Sequence, residues 1–215
     1  MIWFHGTPDG RQLKKTGRFE ERFETRRMIN DSEGLSAARL EAADPSLSAR
    51  ESAERMRRLD AFYDFVRIPV PVFLSASRAT ALTYADDKRA LDFQNAEPAV
   101  FRVLSEGEAS VVIDAGGETF RGLRWGQIES GLRQSGFPAD DVKRTLTQAM
   151  GRDAEARIRV ADLGAALWLH GVNLVDVRNV VDTHTGKGKP DVVRMVFDVG
   201  SLLFPDLETE DTPTP

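Results

Sequence analysis

A chain of 215 residues with 41% hydrophobic and 29% charged side chains has the balance of one globular domain, long enough to bury a continuous core and without an apolar run able to cross a bilayer. Cysteine is absent, which excludes disulfides, thiolate metal sites and a cysteine nucleophile, and leaves three histidines for special chemistry. The formal net charge of -5 is concentrated in the tail, where residues 206–215 carry four acids and no base, so the remainder is close to neutral and neither excludes nor demands a polyanionic partner.

The opening Met1-Ile-Trp-Phe-His-Gly-Thr7 reads as an apolar strand with a polar mouth, suited to holding a small polar ligand. No basic region precedes it, so an intracellular starting compartment is the default expectation. Pro8-Asp-Gly10 is a turn, and Arg11 to Lys15 predicts a short helix ending at Gly17. The Arg- and Glu-rich segment Arg18 to Asn30 reads as irregular and partly exposed. From Ser46 to Val66, helix formers with apolar positions at Leu47, Met56, Leu59, Phe62 and Phe65 predict a surface helix with one buried stripe, started by Asp44-Pro45.

Two prolines in Arg67-Ile-Pro-Val-Pro-Val-Phe-Leu-Ser75 forbid helix and favour a short strand, which feeds a helix over Arg78 to about Asp86 capped by Ser75 or Ser77. Asp86 to Pro98 is a polar connection that passes near the same place, with Asp92, Gln94, Asn95 and Glu97 as candidate lining residues. Strands are predicted at Ala99–Leu104 and Ala109–Asp114, and helices at Gln127–Gln134, Asp140–Met150 and Val160–His170. The last strands are Val172–Val181 and Val192–Asp198, flanking a loop with Gly186-Lys-Gly-Lys189. That loop is glycine-rich and basic, yet it does not pass from a strand into a helix as a phosphate cradle does. No common nucleotide, zinc or serine-hydrolase motif is present.

His5-Gly6-Thr7 closing the first strand, then Phe73-Leu-Ser75 entering a helix that reaches Tyr84, resembles the NAD-binding pattern of the ADP-ribosyltransferase superfamily, on its diphtheria-toxin and poly(ADP-ribose) polymerase side. The segments Phe101–Leu104, Val112–Gly117, Val175–Asp182 and Val193–Asp198 are similar to ADP-ribosyltransferase-like domains of bacterial polymorphic toxins and phage polyproteins. The resemblance covers about 130 residues. It implies an α+β domain over 1–205, with two small, mainly antiparallel sheets forming a split NAD-binding cleft with helices at the periphery. A helical insertion at about 14–67 and a helical block at about 124–170 are additions to it, and 206–215 is a flexible acidic tail.

By this resemblance NAD is a consumed substrate, no metal is implied, and ADP-ribose passes to an unidentified protein, nucleic acid or small acceptor as nicotinamide leaves. Delivery as an effector or with a phage particle is compatible with it. His5 would bond the nicotinamide-side ribose, Gly6 the carboxamide, and Thr7 the far ribose or phosphates. Phe73 and, eleven residues on, Tyr84 take the places of the two aromatic residues that hold the leaving ring. Ser75 and Asn95 complete the predicted binding set. The pattern also expects a Glu near Val193, where none stands, and Asp191, two residues away on the same strand face, is the nearest substitute.

Each residue also has a plainer reading. His5 satisfies a backbone group, Tyr84 packs in the core, His170 caps its helix against the dipole, His184 is solvated, and Asn179 caps a turn or faces the ligand. Two further functions use the same scaffold: a binding or structural module without turnover, and an NAD glycohydrolase with water as acceptor.

Overall fold

The computed structural model describes residues 1–85, 97–150, 157–181 and 188–205. In chain order the strands are β1 (Ile2–Thr7), β2 (Phe23–Ile29), β3 (Tyr63–Pro69), β4 (Val72–Ser75), β5 (Ala99–Leu104), β6 (Val111–Asp114), β7 (Leu174–Val180) and β8 (Asp191–Val196). The helices are α1 (Arg11–Thr16), α2 (Ser32–Ala42), α3 (Ala49–Arg58), α4 (Arg78–Ala85), α5 (Trp125–Gln134), α6 (Ala139–Met150) and α7 (Val160–Leu169). The class is α+β. Among the described residues no helix is long and apolar enough to cross a membrane.

Six strands form one sheet in the order β5-β1-β4-β8-β7-β6, and β2 and β3 form a second, two-stranded sheet. All pairings in the large sheet are antiparallel except β6 with β7. This differs from two comparably small sheets, because β4 joins β1 on one side and β8 on the other. The join to β1 is narrow: β1 and β5 share six register pairs, β4 and β8 share four, but β1 and β4 share only Phe4↔Ser75. Beyond that pair the strands part, and the sheet is almost divided at this seam.

Alternation along the strands sends side chains to two cores. One face carries Ile113, Val175, Val177, Val193 and Met195 under helices α5, α6 and α7. The other carries Trp3, Leu74, Phe101, Val103 and Val196, closed by Leu13 of α1 and by Leu202 and Phe204 near the C-terminal end. On this second face Arg194 and Asp176, register partners on β8 and β7, form a buried bidentate ion pair at 2.8 and 2.9 Å. The Arg194 guanidinium also lies 4.4 Å over the Trp3 ring.

Three predicted elements are corrected. The segment Arg18 to Asn30 contains β2, and the helix predicted over Ser46 to Val66 ends at Arg58, passes through a 3-10 turn (Leu59–Phe62) and becomes β3. The polar character of this pair explains both misreadings, since β2 carries Glu24, Thr25, Arg26 and Arg27 in its middle and apolar residues only at its ends. Of the predicted buried stripe only Leu59 is fully buried: α3 itself buries nothing, and Met56 and Phe65 are exposed. The true start of α3 is a capping box between Ser48 and Glu51. The region at about 14–67 is therefore mixed helix and strand, and α2 packs Leu35 on Ile29 and Leu59 in a small core of its own. The strand predicted over Arg67 to Ser75 is two strands, broken at Val70-Pro71.

Candidate active site

The seam between β1 and β4 opens into a cleft of about 470 Å³. Its walls include His5, Gly6 and Thr7 from β1, Phe73 and Ser75 from β4, and Tyr84 from α4. Six of the seven predicted binding residues thus meet in one cavity. The seventh, Asn95, lies outside the described residues, as does His184.

The cleft forms where it does for local reasons. Proline at 69 and 71 flanks the break between β3 and β4, so β4 is short and its outer end is not held to β1. The chain then turns at Ser75-Ala-Ser77 into α4. Ser77 is its N-cap, its carbonyl accepting from the Ala81 N–H at 3.2 Å and its hydroxyl lying 3.4 Å from the Thr80 nitrogen. Gly6 is where α4 crosses β1: a Cβ there would lie 1.7 Å from the Ala81 carbonyl oxygen. The glycine therefore has a packing reason in addition to its place on the cleft wall.

His5 spans the parted strands. Its Nδ1 lies 3.1 Å from the Phe73 carbonyl oxygen, and a carbonyl can only accept, so Nδ1 carries the proton. Burial holds the imidazole below its ordinary pKa, against the opposing effect of the Phe73 hydrogen bond, so the ring is neutral at neutral pH. In this tautomer Nε2 keeps its lone pair and can accept a hydrogen bond from a ligand hydroxyl. The edge-to-face ring of Phe19, 4.9 Å away, fixes the imidazole from the other side. The plainer reading of His5, a satisfied backbone group, is thus true of one ring nitrogen only.

Thr7 is engaged in a local turn, donating to the Asp9 carbonyl at 3.0 Å and accepting from the Asp9 N–H at 3.3 Å. Asp9 is held by a bidentate contact with Arg11, which is the main cause of its pKa falling to about 2. Phe73 meets Phe120 edge to face at 5.1 Å. Phe19 and Phe120, together with Arg18 and Arg22 on the rim, line the cleft but were absent from the predicted set. Nothing in the local sequence around Phe120 marks it, whereas Phe19 follows the left-handed Gly17 that ends α1 and so returns the chain toward β1.

Asp191 begins β8 and is brought to the site indirectly. Its Oδ2 accepts from the Ser75 hydroxyl at 2.5 Å and from the Ser77 N–H at 3.2 Å. The carboxylate thus stands behind Ser75, which lines the cleft. Val193 pairs with Ser75 across the ladder and is fully buried in the apolar core. Two other residues singled out in the sequence have local roles away from the cleft. His170 bonds Thr145 through Nε2 at 2.9 Å at the end of α7, and Asn179, with a φ of 53°, donates to Asp114. Among the described residues no cluster of three or more His, Asp or Glu side chains is placed to hold a metal ion. No protein-family model matches the chain, and no curated protein or solved structure shows significant similarity to it.

Proposed function

We propose that the seam cleft binds NAD and that the chain is an ADP-ribosyltransferase, moving ADP-ribose to an acceptor with release of nicotinamide. The observation that carries this reading is the convergence of His5, Gly6, Thr7, Phe73, Ser75 and Tyr84 on one cavity, from segments about seventy residues apart in sequence. The cleft volume falls in the range of small-molecule sites. The bare Nε2 of His5 suits a ribose hydroxyl. The aromatic rings of Phe73 and Tyr84 suit a flat pyridinium, whose positive charge is favoured over a π face. Arg18 and Arg22 have no ion-pair partner among the described residues and bring positive charge where a pyrophosphate would lie.

In the reaction the bond between nicotinamide nitrogen and ribose C1′ breaks, and its electron pair leaves with nicotinamide. An acceptor nucleophile then forms the bond to C1′ and gives up its proton. His5 would hold the ribose and the aromatic walls the leaving ring. Ser75, hydrogen-bonded to Asp191, would present the carboxylate's negative field to the cationic sugar, so Asp191 acts as a positioning residue.

A second reading, a binding module without turnover, is favoured by the buried Val193 where the resemblance expects a Glu, and by the three hydrogen bonds that already occupy Asp191, from the Ser75 hydroxyl and the Ser77 and Val192 N–H groups. Incubation with adenine-labelled NAD separates the readings. Nicotinamide release with label on a macromolecule supports transfer, and release with free ADP-ribose indicates the glycohydrolase. Saturable binding without release establishes the second reading. Absence of both binding and release overturns the NAD site.

A further inference from the structure

The exposed face of the β2–β3 sheet has a composition that the seam cleft does not explain. Odd-numbered positions on both strands share this face: Phe23, Thr25, Arg27 and Ile29 on β2, and Tyr63, Phe65, Arg67 and Pro69 on β3, with α2 covering its far end, where Ile29 is buried and Tyr63 half-buried. On the other face Met28 and Ile68 are buried and Arg26 bonds Asp162 of α7 at 2.8 Å, while Asp64 is exposed. The outward set holds two arginines, three aromatic rings and no carboxylate.

Phe23 and Phe65 are 45% and 57% exposed, unusual for phenylalanine on an ordered strand. The guanidinium groups interleave with the rings. Arg67 lies 4.1 Å over Phe23, and Arg27 lies 4.5 Å over Tyr63 and 5.7 Å from the Phe65 centroid. Arg39 of α2 extends the row by donating to the Tyr63 hydroxyl at 2.8 Å, and Arg22 begins it beside Phe23. Of these four arginines only Arg27 is ion-paired among the described residues, with Asp60.

Aromatic faces alternating with cations along one edge match a ligand that alternates flat rings with anions. Phe23 and Phe65 are offset by four residues along the ladder, about 13 Å, so each ring can take a separate base. A duplex offers its bases no free face for such stacking. We propose that this face binds single-stranded nucleic acid, with bases stacked on Phe23 and Phe65 and phosphates held by Arg67, Arg22 and Arg39. The surface adjoins the seam cleft and shares one cation with it: Arg22 and Val70, joined by a 2.8 Å backbone hydrogen bond, lie at both its end and the cleft wall.

The test is fluorescence anisotropy of the full chain with labelled oligouridylate and oligothymidylate of about 12 nucleotides and with the corresponding duplex. A single strand is expected to bind, with log affinity falling against log salt at a slope of about -2. Phe65→Ala and Arg67→Glu should each weaken binding about tenfold and together abolish it. Leu40→Ala, an exposed residue outside the proposed contact set, should leave it unchanged, and melting temperatures of all variants should match the parent. The proposal is overturned by binding of neither single strand, by equal affinity for the duplex, or by a double variant that binds as the parent does. Sedimentation showing a dimer that Phe65→Ala dissociates would assign the face to a second copy and overturn it equally.

Discussion

The large sheet is built in two ways on either side of β4. Toward β8 and β7 the ladder is extensive, with one register shift between Val177 and Val180, its inner face is fully buried valine and methionine, and its charged pair, Asp176 with Arg194, is buried and bidentate. Toward β1 the ladder holds at one pair and then opens, and the side chains in the gap are a histidine, a glycine, a threonine and aromatic rings with exposed edges. The contrast follows from what each side has to satisfy. Apolar β-branched strands gain by closing every gap, whereas a polar strand end needs partners that the neighbouring strand, shortened by its prolines, does not supply. A ligand can supply them.

The largest expected effect lies on the closed side. Asp176→Ala strands the buried Arg194 without its carboxylate and should lower stability by about 3 to 5 kcal/mol in denaturant titration. If the loss is negligible, the two sides do not differ in the way described. On the open side Gly6→Ala forces α4 away from β1 and should cost about 1 to 3 kcal/mol in the same assay while also closing or distorting the cleft. A comparable loss, about 1.5 to 3 kcal/mol, is expected for Asp191→Ala, because the Ser75 hydroxyl and Ser77 N–H lose a charged acceptor. Retention of the Ser75 geometry in a crystal structure of that variant would contradict the positioning role.

Much of this contrast was readable in the residues. The strand ending in His-Gly-Thr, the proline-bounded strand before α4, the serine cap and the three C-terminal helices all carry local signals, and they bring the predicted binding residues together. The order of the sheet carries no such signal. β5 and β6 are separated by a short turn-like segment, Ser105 to Gly107 with its neighbours, yet they lie at opposite edges of the sheet. The β2–β3 pair escaped for a different reason: exposed Phe23 and Phe65, buried Met28 and Ile68 and ion-paired Glu24 and Arg26 mix apolar and polar residues on both faces, so neither period stands out. Asp191 was placed by strand period alone, and its route to the cleft through Ser75 depends on the register of β4 with β8, which no local pattern encodes.

A smaller effect concerns pH. The His5 pKa is lowered from 6.5 chiefly by burial, so the unfolded chain binds a proton more readily than the folded one as pH falls below that value. The stability due to neutral His5 is therefore fully present above pH 6.5 and is lost as pH falls from there toward the folded pKa. Melting temperatures followed across this window should decline more steeply for the parent than for His5→Ala. Parallel profiles would show that the ring is solvated and not held neutral.

The open side of the sheet is proposed as a dinucleotide site organised by His5. Its most direct test is calorimetric titration of NAD into the parent chain and into His5→Ala, with Phe65→Ala, which does not line the cleft, as a control. The account predicts one site in the parent, affinity about tenfold weaker without the imidazole, and no change in the control. Absence of binding to the parent, or equal affinity in His5→Ala, would contradict it.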